Sequence, residues 1–198
     1  MSRRPGSGRL RGSLLAVLLV GLPGCLGSRT PEAACEKFLQ AIAEGDPSSV
    51  FDALLQTTQW SFYSVAKNHK KMRELIRDSY PAPQQAAALA RLYGADASSG
   101  RDLFVRLYPE RFEKDFNARL GTGPMRITTV EGGPGGAPVR FCSRQGGRPF
   151  MLQATASGKW GMSELDREWD EAQLRAYHDL ATVQKNAELY RGVQPALK

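Results

Sequence analysis

Chemically reactive side chains are scarce in this chain. Two histidines and three cysteines stand in 198 residues. His69 and His178 lie far apart, and Cys25, Cys35 and Cys142 show no ligand spacing, so neither a metal site nor a cofactor is expected. No Gly-x-Ser-x-Gly elbow presents a serine nucleophile. The glycine-rich run at 132–136 lacks a following Lys-Ser/Thr and a following helix, so it reads as a hairpin loop rather than a phosphate cradle. There is no arginine-rich helix and no aromatic stacking motif, and the formal charge of +7 therefore does not point to nucleic acid. Nor is there an internal repeat. The apolar run at 14–22 falls short of the about 20 residues that a permanent membrane span needs.

What is present begins at the amino terminus. Arg3, Arg4, Arg9 and Arg11 make a positive opening with no acidic residue, followed by the short apolar run and small residues. A charged start, an apolar core and a small-residue end describe an export signal. Leu22, Pro23, Gly24 and Cys25 follow, and they resemble the lipobox of bacterial lipoprotein precursors. Pro23 departs from that pattern, which prefers Ala, Ser or Thr there. The resemblance implies removal of residues 1–24, acylation of Cys25 with palmitate-type chains, and a short tether at 25–30. One acyl chain binds a membrane only marginally, and several chains make the anchor stable. By the sorting rule of enteric bacteria, Leu26 in place of Asp implies the periplasmic face of the outer membrane. A secretory signal with a coincidental cysteine and an uncleaved signal anchor are the competing readings. The four signal arginines account for most of the excess positive charge, leaving a nearly balanced domain.

Residues 31–198 suit one domain. Thr30 and Pro31 make a helix start, Cys35, Phe38, Leu39 and Ile42 recur at helical spacing, and Gly45 stops the run. Asp46 and Pro47 repeat the start signal, with Val50, Phe51, Leu54 and Leu55 as the next apolar face. A third helix is predicted over 59–79, and an alanine-rich one over 84–93. Two short ones follow, split at Pro109. The character then switches to strands near 125–131, 139–144, 149–155 and 159–165. In the second of these, Val139 and Phe141 form the apolar face against Arg140, Cys142 and Arg144. A long helix from about Ser163 or Asp166 closes the chain, with acidic residues crowding its first turns. Segregated runs of helices and strands predict an α+β fold: N-terminal helices packed on a curved antiparallel sheet, closed by a C-terminal helix.

The stretch from Thr30 through Phe38, Ala41 and Gly45-Asp46 resembles the first helix of the nuclear transport factor 2-like superfamily. Gly158-Lys159-Trp160 is similar to its late strand. The resemblance implies a cone-shaped pocket between sheet and helices, used by some members for small apolar ligands and by a few for acid–base chemistry. No catalytic motif of the family matches this chain.

Trp60, Tyr63 and His69 are the candidate pocket residues, and Asp52 is a further titratable candidate. His69 falls on an apolar helical stripe, where a lone histidine is more often core than base. Cys35 and Cys142 form either a disulfide, which an exported domain permits, or two separate thiols. Arg126, Arg140, Arg144 and Arg148 are candidates for one basic sheet face, and Lys67, Lys70, Lys71 and Arg73 for a solvated helix face. Together these readings describe a lipid-anchored cell-envelope protein with a binding or scaffolding role toward an envelope protein or a small apolar ligand. The alternative is an enzyme working in the same pocket.

Overall fold

The computed structural model describes residues 28–131 and 138–193. The export signal, Cys25 and the loop at 132–137 lie outside the described residues. The fold is α+β.

Local chemistry sets the first elements. Thr30 caps α1 (Pro31–Glu44) by accepting from the Ala33 N–H at 3.2 Å. Gly45, at φ 64°, ends it, and its N–H reaches the Ala41 and Ile42 carbonyls. Asp46 then caps α2 (Pro47–Ala53) through the Ser48 and Ser49 amides and the Ser49 hydroxyl. These bonds, the Ser49 hydroxyl foremost, hold the Asp46 carboxyl below the usual range. Leu54 and Leu55 do not continue α2 as the apolar spacing suggests. They turn extended, and the Leu55 N–H donates to the Met162 carbonyl at 2.8 Å. The buried Gln59 amide donates to the Phe51 and Leu54 carbonyls, both at 3.0 Å, and so stabilises the break.

Four more helices precede the sheet: α3 (Gln56–Ser79), α4 (Ala82–Leu89), α5 (Gly100–Arg111) and α6 (Glu113–Arg119). α5 runs through Pro109 rather than splitting there, and the break falls at Phe112. Pro109 is exposed, so water can satisfy the backbone group its missing N–H leaves free. Meanwhile Tyr108 and Phe112 both pack on Phe104, Phe112 stacking at 5.4 Å.

Strands β1 (Met125–Val130), β2 (Val139–Arg144), β3 (Phe150–Ala154) and β4 (Trp160–Met162) pair antiparallel in chain order. α1 lies across all four. The register aligns Ile127, Cys142 and Phe150 across the first three strands. Cys142 is fully buried, so the face expected to be polar is the one turned to the core. Phe141, expected on the apolar face, is on the other side. Two arginines are tolerated on the core-facing side because they sit at its ends. The Arg140 guanidinium lies 4.6 Å from the Trp160 ring centre, burying its stem while its charge stays near water. Arg126, paired with Ser143 and one step out of phase with Ile127, points to the opposite face. Arg148 lies in the following turn, 3.4 Å from Asp115. The four arginines therefore form no single basic face.

Cys35 and Cys142, left open by the sequence, are bonded, with Sγ–Sγ 2.05 Å, tying α1 to β2 across 107 residues. Around the bridge, Phe38 meets Phe116 and Phe150 edge-on at 5.6 and 5.1 Å. The closing helix, α7 (Asp166–Val193), packs along α3 rather than on the sheet. Trp169 stacks on Phe62 at 3.5 Å, and Ile76, Tyr80 and Ala187 form a second small core at the far end of this helix pair. Among the described residues no helix is long and apolar enough to cross a membrane.

Candidate functional site

The break between α2 and α3 does more than join two helices. It lays Leu55 against β4, an approach that only glycine permits at position 161, where an added Cβ would sit 2.8 Å from the Leu55 Cα. The first turn of α3 then stands beside the β3–β4 turn and the start of α7. Between the three runs an open groove of about 700 Å³. Leu55, Trp60, Ala154 and Ala156 supply its apolar walls, and Gln56, Gln153, Asp166, Asp170 and Gln173 its polar ones. Trp60 is 64% exposed, an uncommon state for so large an apolar ring. A smaller cleft lined by Lys159 and Trp160 shares Leu55, Gln56 and Thr155 with the groove.

The carboxylates of the polar wall are bonded within the protein. Asp166 accepts from the Thr57 and Thr58 hydroxyls, each at 2.8 Å. The Ser61 hydroxyl lies 3.0 Å from an Asp170 carboxylate oxygen and 2.9 Å from the Gln173 side-chain oxygen. A hydroxyl has one proton, and the carboxylate is the stronger acceptor. These bonds dock α7 on α3. Ser61 lacks the histidine of a Ser-His pair: its side-chain acceptors are the Asp170 carboxylate and the Gln173 oxygen, and no histidine lines the groove. No cluster of His, Cys, Asp and Glu suited to a metal occurs among the described residues.

The sequence candidates are not brought together. Trp60 lines the groove. Tyr63, three residues on, turns to a different depression beside α5 and meets Phe51 edge-on at 5.9 Å. Asp52 pairs with Arg101 on the surface. His69 is 4% exposed and lines none of these clefts. Its Nδ1–H donates to the Tyr93 carbonyl at 2.9 Å, and its ring meets the Tyr93 ring edge-on at 4.7 Å. The space between sheet and α1, where the family resemblance implies a cone-shaped pocket, holds the Phe38, Phe116 and Phe150 rings. Asp166, Asp170 and Gln153 escaped sequence reasoning because a groove wall built from three distant segments carries no local spacing.

Burial pushes the His69 pKa below its ordinary value, with the Tyr93 carbonyl and Asp179 opposing more weakly. The unfolded chain therefore binds a proton that the folded one refuses. The stability this contributes is complete above the unfolded pKa of about 6.5 and declines as pH falls from there toward the folded value. Melting temperature measured across this range is expected to fall, and to fall less steeply in His69→Gln. An identical slope in the variant would exclude His69 as the source.

No family model, no curated protein and no solved structure matches this chain.

Proposed function

We propose that this protein is a lipoprotein of the cell envelope, held to a membrane by lipid on Cys25, that binds or scaffolds rather than catalyses. The observation that carries the proposal is the order of the first 25 residues: arginines without acids, a short apolar run, then Leu22-Pro23-Gly24-Cys25. The Cys35–Cys142 bridge suits an oxidising compartment outside the cytoplasm. Leu26 favours the periplasmic face of the outer membrane. Binding is favoured over catalysis because the groove offers an exposed aromatic ring, and its two carboxylates, Asp166 and Asp170, are taken up by hydroxyls of α3. The occupant is a small apolar ligand or another envelope protein. The domain reads as nuclear transport factor 2-like on its first helix and its glycine-lysine-tryptophan turn, with the pocket displaced to the side of the sheet.

Metabolic labelling with radioactive palmitate tests the anchor. Wild-type protein is expected to take label and fractionate with membranes, and Cys25→Ala to lose both. An unlabelled, soluble wild type would leave a secreted domain instead.

A further inference from the structure

We infer that the surface around Trp160, Lys159, Arg29 and Trp60 lies against the membrane and docks on anionic phospholipid headgroups. The inference rests on the anchor reading and deepens it. Ser28 is tied to β4 by two backbone bonds, its N–H to the Trp160 carbonyl at 3.2 Å and the Trp160 N–H to its own carbonyl at 2.7 Å. Only Leu26 and Gly27 separate Cys25 from this fixed point, and the three residue steps reach about 11 Å when fully extended. A lipid in the bilayer therefore holds this edge of the sheet at the headgroup layer, and the domain cannot swing freely beneath a long tether.

The chemistry of the edge fits that neighbour. Arg29 is exposed, Lys159 is half-buried, and the Arg140 guanidinium covers the Trp160 ring. Tryptophan, with its apolar body and polar N–H, suits the boundary between water and acyl chains, and cations beside it suit anionic headgroups. Trp60, 64% exposed, belongs to the same continuous depression through Leu55, Gln56 and Thr155. The nearby carboxylates of Asp166 and Asp170 accept from hydroxyls of α3, which offsets part of their repulsion toward phosphate. Membrane contact also removes an otherwise water-exposed indole from solvent.

The test uses the full lipidated protein in phosphatidylglycerol vesicles whose acyl chains are brominated near the headgroup end, with phosphatidylcholine vesicles for comparison. Tryptophan emission is expected to be quenched in both and more deeply in the anionic vesicles. Trp60→Phe and Trp160→Phe should each lose part of the quenching, Trp60→Phe the larger part because Trp60 is the more exposed ring, while buried Trp169 contributes a constant background. Arg29→Glu with Lys159→Glu, both outside the core, should abolish the anionic excess. Palmitate-labelled protein that floats with the vesicles but shows no quenching would overturn the docking and leave the anchor standing. Protein that neither labels nor floats would overturn the anchor, and this orientation with it.

Discussion

Cys142→Ala is expected to lower the melting temperature by roughly 5–15 °C, and reduction of the wild type should reproduce the shift. The bridge closes a loop of 107 residues. In the chain-entropy account a loop of this size restrains the unfolded state by about 4 to 5 kcal/mol. Native strain and residual structure in the unfolded chain commonly reduce such values, so a loss of about 2 kcal/mol is the lower bound of the expectation. Alanine is the better replacement than serine, because a hydroxyl at this fully buried position would need a partner. The effect should concentrate where α1 crosses the sheet, since Cys35 and Phe38 pack there with Phe150. Thiol titration of unfolded, unreduced protein, with Cys25 blocked or replaced, supplies the check. Two free thiols and no response of melting to reductant would show that the bridge does not form.

Trp169→Ala is expected to cost about 3–5 kcal/mol, the usual range for emptying a large aromatic site in a packed core. Trp169 is 1% exposed and stacked on Phe62, itself in edge contact with Phe51 and Phe104. It is the principal apolar link between the α7 start and the first helices. Trp169→Phe should cost far less. The indole N–H is buried without a hydrogen-bond partner among the described residues, and a buried unsatisfied donor carries a penalty of about 1–3 kcal/mol that phenylalanine removes. Denaturant unfolding of the two variants separates the terms. A loss in Trp169→Phe approaching that of Trp169→Ala would mean that the N–H finds a partner in solution and that the indole as such, not merely an aromatic ring, sets the stability.

These two effects sit at opposite ends of what sequence could reveal. Most of the apolar stripe of α3 was legible from helical spacing: of Phe62, Val65, Ala66, His69, Met72, Leu75 and Ile76, all are buried except Leu75, which is half-buried. So were the caps at Thr30 and Asp46, the stop at Gly45, and the switch from helices to an antiparallel meander. Each depends on groups a few residues apart, and local spacing records them directly. The faces of β2 were misassigned because alternation states that two faces differ, not which one meets a helix. Burial of a cysteine that bonds α1 settled the matter, and stacking on Trp160 made Arg140 acceptable beside it. Pro109 misled for a related reason. A lost backbone bond costs little at an exposed position when the aromatic rings on the buried side of the helix hold it together.

By itself, then, the order of residues determined the α+β class, the helix boundaries set by caps, and the basic-apolar-cysteine pattern at the amino terminus. Those are consequences of short-range stereochemistry and hydrophobic periodicity. Only the tertiary structure decided that Cys35 and Cys142 meet, that His69 is a core residue bonded to Tyr93, and that Trp60 faces solvent. It also decided that the groove lies among α3, the β3–β4 turn and α7. Each of these joins segments many residues apart, and such contacts are selected by the shape of the whole packed core rather than by any stretch of chain within it.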